Sequence, residues 1–441
     1  MQKKYHSELL PALVRILGNE EKEVRVKTQA MSSLVNFLKG LMDVTEYDTE
    51  KNKKKNNAKY KILKPYVNVL LEAISNLFES SLKIGYYPLQ EETLTGLALL
   101  ATVLDKEFAP YYPMIMPGLK QVLFNIDSKN KEMGNLKANA IQTISYLCSS
   151  VSESSESFKK DFEEIATYFI RLLAELKDDD TLVPAILNAF THLAEGLKED
   201  FSTYYEKLLP KLEEYLKSDI DFKFEDADLS EVMNKDPKNE SGLDGTLLRL
   251  QGIGDKKISV KTFALQNKIL AVEVLSNICI FMGKSFFPYL SKYLENSKVM
   301  MKFPFSSKIR KISIRSLANS LKCCSNEDDM RQIIDYCLDE ILDILTFHTH
   351  SFFLRDIKST LKTLIDSFEL IESKNVISST LINKLYDIFK LIVNTVEEKK
   401  EKYKQTLKEK HDTDENDLEH IEHDMEVFNE VNRSNIHKLM N

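Results

Sequence analysis

FSTYYEKLLPKLEEYL, residues 201–216, reads as one amphipathic helix, because Tyr204, Leu208, Leu212 and Tyr215 recur at spacings of three and four. The same design stands at Phe108, in FAPYYPMIMPGLKQVL. In both, Phe is followed three and four residues on by Tyr, nine on by Pro and eleven on by Leu. A looser copy begins at Phe286, FFPYLSKYLENSKVMM, with Tyr289 and Leu290 in place and Glu295 at the Pro position. Tyr5 also precedes Pro11 by six residues, as Tyr111 precedes Pro117 and Tyr204 precedes Pro210. A recurring helix implies a recurring unit, and a recurring unit implies a solenoid.

The chain has 441 residues, too many for one compact core, so several domains or a stack of repeats are expected. Hydrophobic residues make up 43%, enough for a continuous interior, while 12 Gly and 11 Pro are too few for a fold rich in tight turns. The net charge of −8 repels nucleic acid and suits basic partners, although charge of this size also serves solubility alone. Cys148, Cys279, Cys323, Cys324 and Cys337 each lie in a helix-like apolar pattern without C-x-x-C spacing. They read as reduced, buried thiols of an intracellular protein. The opening MQKKYHSELLP has no apolar run of signal-peptide kind, and the apolar runs are too short to cross a membrane.

Taken in order, the pattern predicts helices over 3–17 and 21–40. In the second, Val24-Arg25 followed by Ala30 and Leu34 fits the inner helix of a HEAT-type hairpin. A Lys- and Asn-rich loop covers 43–59, with Lys51 and Lys53 to Lys55 read as solvated charge. Helix pairs follow at 62–80 with 88–106, 108–126 with 131–151, and 156–177 with 181–198. Asp178, Asp179 and Asp180 then stand at an inner-helix N-terminus, where carboxylates complement the macrodipole.

Repeats thus fill 1–217. A polar, largely acidic insert, 218–257, separates the helix at 201–217 from its partner at 259–283. Repeats resume over 258–396, with pairs at 286–303 and 306–324, where Ile309-Arg310 echoes Val24-Arg25, and at 327–347 and 350–371. An outer helix at 375–396 runs into a charged insert, 397–426, read as mostly disordered. Its second half, from His411, has eight carboxylates and no Lys or Arg. Residues 427–441 read as the start of a further helix, cut off. The expected class is all-α: an armadillo-like HEAT-repeat superhelical solenoid of about seven to eight hairpins.

No catalytic or metal site stands out, and no cofactor is expected. His348 and His350 in FHTHSFF could share a turn, but no further ligand pair accompanies them. His420, His423 and Asp424 fall in the acidic insert, and His192 in AFTHLAEGL reads as an ordinary helix residue. Gly252 to Gly254 lacks the P-loop spacing and a preceding strand. The recurrent Phe108, Tyr111, Tyr112, Phe201, Tyr204 and Tyr205 read as repeat packing rather than a stacking site for a ligand.

Two features go beyond a generic HEAT pattern. One is KEFAPYYPMIMPGLKQVL, residues 106–123. The other is the exit from the acidic insert: Gly242 to Leu250 (GLDGTLLRL), Gly254-Asp255, Val260-Lys261-Thr262 and Leu265 to Lys268 (LQNK). From about residue 60 onward the chain resembles the importin-β (karyopherin-β) transport receptors, and among them the importin-5 type. It departs from that type at Thr246, where an aromatic is usual, and at Gln266-Asn267, where two acids are usual.

The resemblance implies a nuclear transport receptor. Such receptors bind the basic nuclear-localisation signals of cargo such as ribosomal proteins or histones on an acidic concave face. They cross nuclear pores through Phe-Gly nucleoporins, release cargo when Ran binds in its GTP form, and shuttle between cytoplasm and nucleus. It also implies a central fragment, with the first repeats that carry most Ran contacts lying outside it, so that Ran-GTP binding depends on them. A monomer is expected, without nucleic-acid binding or membrane insertion.

The cargo-binding candidates are the inner-helix residues Glu91, Glu92, Asp179, Asn188, Glu195, Glu273 and Asn277. The alternative is a HEAT scaffold of the phosphatase-scaffold kind, which assembles folded proteins and has no transport role. A sheet in the fold, or an inner side that is positive or apolar throughout, would count against transport.

Overall fold

The computed structural model describes residues 2–41, 61–126, 131–152, 155–219, 222–226, 244–250, 254–260, 262–351, 357, 360–364 and 379–409. The described residues hold fourteen α-helices. Before the insert these are α1 (Gln2–Leu17), α2 (Val24–Leu41), α3 (Val67–Ile84), α4 (Tyr87–Leu104), α5 (Tyr112–Asn125), α6 (Lys131–Ser150), α7 (Ser155–Glu175), α8 (Leu182–Leu197) and α9 (Ser202–Lys217). After it come α10 (Thr262–Met282), α11 (Leu290–Met301), α12 (Ser307–Ser320), α13 (Glu327–Ser351) and α14 (Ser379–Glu409). The chain forms two compact units, Met1–Val274 and Leu275–Asn441.

In the first unit, consecutive helices pair as hairpins: α1 with α2, α3 with α4, α5 with α6, and α7 with α8. The second helices, α2, α4, α6 and α8, pack side by side into one layer. This is a HEAT-repeat helical solenoid. The apolar periodicity drives it: Phe162, Ile165, Ala166 and Phe169 of α7 are fully buried. Phe169 meets Phe190 of α8 edge-on at 6.3 Å, and Phe190 meets Phe201 at 6.4 Å, so buried rings run from one hairpin into the next. Each such ring contributes about 1.5–3 kcal/mol by leaving water.

The recurrent Phe-Tyr signature is core. Phe108, Phe201 and Phe286 are fully buried, as are Tyr112 and, nearly so, Tyr205. Each of these phenylalanines lies in a short 3₁₀ segment that joins one hairpin to the next: Asp105–Phe108, Lys198–Phe201 and Gly283–Tyr289. Each segment opens on a positive φ, 51° at Asp105, 49° at Lys198 and 53° at Gly283.

The polar insert contains a three-stranded antiparallel sheet in the order β1-β3-β2, where no strand was expected. Its strands are β1 (Phe222–Asp226), β2 (Asp244–Leu250) and β3 (Gly254–Val260). Ile258-Ser259-Val260 alternates and is rich in β-branched side chains, which explains why the predicted helix at 259 begins only at Thr262. A strand therefore does precede Gly252 to Gly254, but it is strand β3, and not a helix, that begins at Gly254. The sheet lies between Phe222 and Val260, three residues past the expected end of the insert, and among the described residues the hairpins on either side are helical.

After the insert the chain returns to the helices before it. Asn267 of α10, 2% exposed, donates its Nδ2 to the carbonyl of Asp178 at 2.7 Å. Lys268, 4% exposed, donates its Nζ to the carbonyl of Leu216 in the last turn of α9, where a cation suits the helix dipole.

In the second unit, Ser306 caps α12 by accepting the Ile309 N–H at 3.3 Å. The echo of Val24-Arg25 in Ile309-Arg310 is only partial. Arg310 is buried and donates to the carbonyls of Phe303 at 2.8 Å and Pro304 at 3.1 Å, whereas Arg25 is exposed. The last helix, α14, runs on to Glu409, twelve residues past the expected start of the charged insert at 397. Opposite charges four residues apart, as at Glu398 and Lys402, favour that extension. His348 and His350 lie within α13 rather than on a turn. The loop 43–59 and the segments 411–426 and 427–441, with His420, His423 and Asp424, lie outside the described residues.

One stretch, Phe263–Met301, is long and apolar enough to cross a membrane, contrary to the short runs read in the sequence. Over half of its most apolar window is buried, as in a core helix, and the 3₁₀ turn at Gly283–Tyr289 interrupts it.

Candidate functional site

The second-helix layer of the first unit carries five of the seven sequence candidates on or beside adjacent helices. Glu91 and Glu92 lie early in α4, both half-buried, and Glu132 lies in the first turn of the neighbouring α6. Burial, with the charges of Glu92 and Glu132, holds the Glu91 carboxyl above the usual carboxylate range. Three carboxylates thus stand where α4 meets α6, and an added cation favours the ionised form of Glu91.

Helix α8 continues this surface. Asn188, His192 and Glu195 share one face at helical spacing, with Asn188 exposed and the other two half-buried. Tyr146 of α6 stacks on His192 at 4.9 Å, and His192 Nδ1 stands 3.8 Å from the Glu195 carboxylate without a hydrogen bond of its own. Ser149 of α6 donates its hydroxyl to Glu195. The strip therefore offers carboxylate and amide acceptors beside an aromatic face, the chemistry that holds lysine and arginine side chains.

Asp179 is exposed in the turn before α8, while its neighbours are engaged. Asp180 accepts the Leu182 N–H at 2.8 Å, and Asp178 accepts Lys211 at 2.8 Å. Glu273 belongs to the first unit but sits on α10, beyond the insert, and Asn277 lies on the same helix in the second unit. The structure does not group these two with the α4–α6–α8 strip. Sequence reasoning missed Glu132, Tyr146 and Ser149. The repeat itself marked Ser149: it follows Leu147 by two positions, as Glu195 follows Leu193.

The negative character is not uniform. In the second unit the exposed or half-buried positions of α12 include Lys308, Lys311 and Arg315, and no acidic residue.

A second feature lies between α3 and α5, the first helices of adjacent hairpins. They leave a cleft of about 830 Å³ floored by α4 and α6, with Phe78, Leu82, Leu97, Met114 and Val122 among its walls. Met114 is 77% exposed at its lip. At the floor Gln90 is 2% exposed. Its Nε2 donates to the Ser81 carbonyl at 2.8 Å, and its Oε1 has no partner. A bare glycine, Gly118, keeps the α5 wall open, with nothing within 4 Å of where a Cβ would sit. The cleft suits an apolar side chain whose backbone supplies one N–H donor. Among the described residues no cluster of His, Cys, Asp and Glu is arranged to hold a metal ion.

Comparison with known proteins adds three findings. A family model described as importin subunit beta-1-like, TPR repeats, matches residues 64–231. The probable importin-5 homolog of Dictyostelium discoideum is 27% identical over 221 residues, 50% of this chain and 18% of that protein. Importin subunit beta-3 of Saccharomyces cerevisiae is 25% identical over 296 residues, 67% of this chain and 24% of that protein. The chain thus spans a quarter or less of the length of these relatives. Among solved structures, Kap121p bound to Pho4p matches with a TM-score of 0.67 and 19% identity, over 98% of this chain and 37% of Kap121p. Kap121p bound to Nup53p matches with a TM-score of 0.65 and 20% identity, over 93% of this chain and 35% of that one. The structures agree in the solenoid fold, and the family model and the curated relatives agree in kind: the chain is similar to the importin-β (karyopherin-β) proteins.

Proposed function

We propose that this chain is the cargo-holding part of a nuclear transport receptor, and that the α4–α6–α8 strip binds a basic nuclear-localisation segment. The observation that carries the reading is the strip itself: Glu91 and Glu92 on α4 and Glu132 on the adjacent α6, continued by Asn188 and Glu195 on α8. The solved relative Kap121p, bound to Pho4p in one structure and to Nup53p in another, supports a surface for partner proteins. The cleft between α3 and α5 is the matching surface for Phe-Gly segments of the pore, with Gln90 Oε1 as acceptor for a backbone N–H. Cargo release on binding of Ran in its GTP form, and shuttling between cytoplasm and nucleus, complete the reading. Ribosomal proteins and histones are the cargo class it suits.

Fluorescence anisotropy with a labelled lysine-rich signal peptide tests it. Binding is expected to weaken steeply with salt and to fall at least about tenfold in the Glu91→Lys, Glu92→Lys double variant. Absent or salt-independent binding overturns the reading. Copurification with one folded partner at fixed stoichiometry would instead favour a HEAT scaffold.

A further inference from the structure

Four of the five cysteines lie in the second unit, and all five are free and buried. Two of them face each other. Cys279, near the end of α10, and Cys323, in the 3₁₀ segment Leu321–Cys323 after α12, place their sulfurs 3.5 Å apart. A disulfide needs about 2.05 Å, so the two sulfurs must close the remaining gap for the bond to form. We propose that Cys279 and Cys323 form a reversible disulfide, made by a peroxide-class oxidant and undone by a dithiol, that ties the last turns of α10 to the turn after α12.

The surroundings favour this pair over the other cysteines. The Cys323 thiol can donate to the carbonyl of Cys279 at 3.7 Å, and the Cys279 thiol stands by to donate to the Cys323 sulfur. That donation, with the charge of Lys322, holds Cys323 below the usual thiol range. Its neighbours go the other way. Burial pushes Cys324 up to about 11 and Cys337 up to about 12, and Cys148 and Cys279 are also raised. Access comes through the segment itself. A three-residue 3₁₀ turn is the least firmly bonded kind of helix, and exposed Ser325 and Asn326 follow it closely.

The chemistry balances with hydrogen peroxide. The Cys323 thiolate attacks one peroxide oxygen: an S–O bond forms, the O–O bond breaks, and the leaving hydroxide takes a proton to become water. The Cys279 sulfur then attacks the sulfenic sulfur of Cys323. The S–S bond forms, the S–O bond breaks, and the departing hydroxide leaves as a second water with the Cys279 proton. Two thiols are oxidised and one peroxide is reduced to two waters.

The test uses the full chain, treated with hydrogen peroxide near stoichiometric amounts. Remaining thiols are blocked with N-ethylmaleimide after unfolding, and the protein is digested without reduction for mass spectrometry. The expected product is a peptide linking Cys279 to Cys323, lighter by two hydrogens, with three of the five cysteines still blocked. Dithiothreitol should restore all five. In Cys279→Ser the Cys323 sulfenic acid should persist and react with dimedone, while Cys148→Ser should leave the cross-link unchanged. Five blocked cysteines after oxidation, or a Cys323–Cys324 bridge in place of the expected one, overturns the proposal.

Discussion

Lys198 and Gly283 hold the same place in their repeats, three residues ahead of a fully buried phenylalanine, and both turn the chain through positive φ. Lys198 has φ 49° and ψ −116°, a region that glycine enters freely and other L-residues enter at a cost of about 1–3 kcal/mol. Its side chain is exposed. Lys198→Gly should therefore raise the unfolding free energy by roughly 0.5–2 kcal/mol, after the greater chain entropy of glycine is deducted. Gly283→Ala should lower it. Urea titration followed by circular dichroism checks both, and an unchanged or lower midpoint for Lys198→Gly would refute the strain at this joint.

The link from Asn267 to the Asp178 carbonyl explains why an amide stands where acids occur in the resembled pattern. A carboxylate there would face a carbonyl oxygen in a site only 2% exposed. Asn267→Asp should cost about 1–3 kcal/mol or more, because it removes a donor and buries an unpaired charge. Asn267→Ala should cost less than the acid. If the two variants unfold at the same urea midpoint, the hydrogen bond has no such role.

Glu91 gives the proposed cargo strip a pH signature. Its carboxyl titrates above the usual range because burial and two neighbouring carboxylates disfavour the charge. A cationic ligand favours the ionised form, so binding expels the proton. Affinity for a lysine-rich peptide should be complete above the raised value and fall as the pH drops through it. Stability of the free chain moves the opposite way, since protonation removes repulsion. Calorimetry in buffers of different ionisation heat should show proton release on binding, and Glu91→Gln should abolish it. Equal release from wild type and variant would remove Glu91 from the site.

Gly118 separates fold from function in the cleft. With open space around its missing Cβ, Gly118→Ala should stabilise α5 by about 0.5–1 kcal/mol. Gly118→Phe should fill the cleft, leave the melting temperature nearly unchanged, and weaken a Phe-Gly peptide at least about tenfold in nuclear magnetic resonance titration. Undiminished binding would move that partner elsewhere.

Much of this molecule was legible from local pattern. The repeats of Phe108, Phe201 and Phe286 mark buried joints because equivalent positions of a stacked hairpin bury equivalent side chains. Helix bounds agree within a few residues from Gln2 to Lys217, where periodicity is strong. Reading failed in the insert. Ile258-Ser259-Val260 was merged into a helix start, although its strand pairs with residues 222–226, more than thirty positions away. It failed again at 397, where composition suggested a boundary that helical charge spacing does not respect.

The sequence by itself determined that helices form, where hairpins join, and that the surface carries more negative than positive charge. Helix periodicity, turn residues and net charge are local or additive, so one chain of letters is enough. Only the tertiary structure decided which charges become neighbours. It brings Glu132 to Glu91, Tyr146 to His192 and Cys279 to Cys323, and it gives α12 cationic residues where an acidic face was expected. Residues some forty positions apart meet only when one hairpin stacks on the next, and the stacking register is set by packed side chains rather than by spacing along the chain.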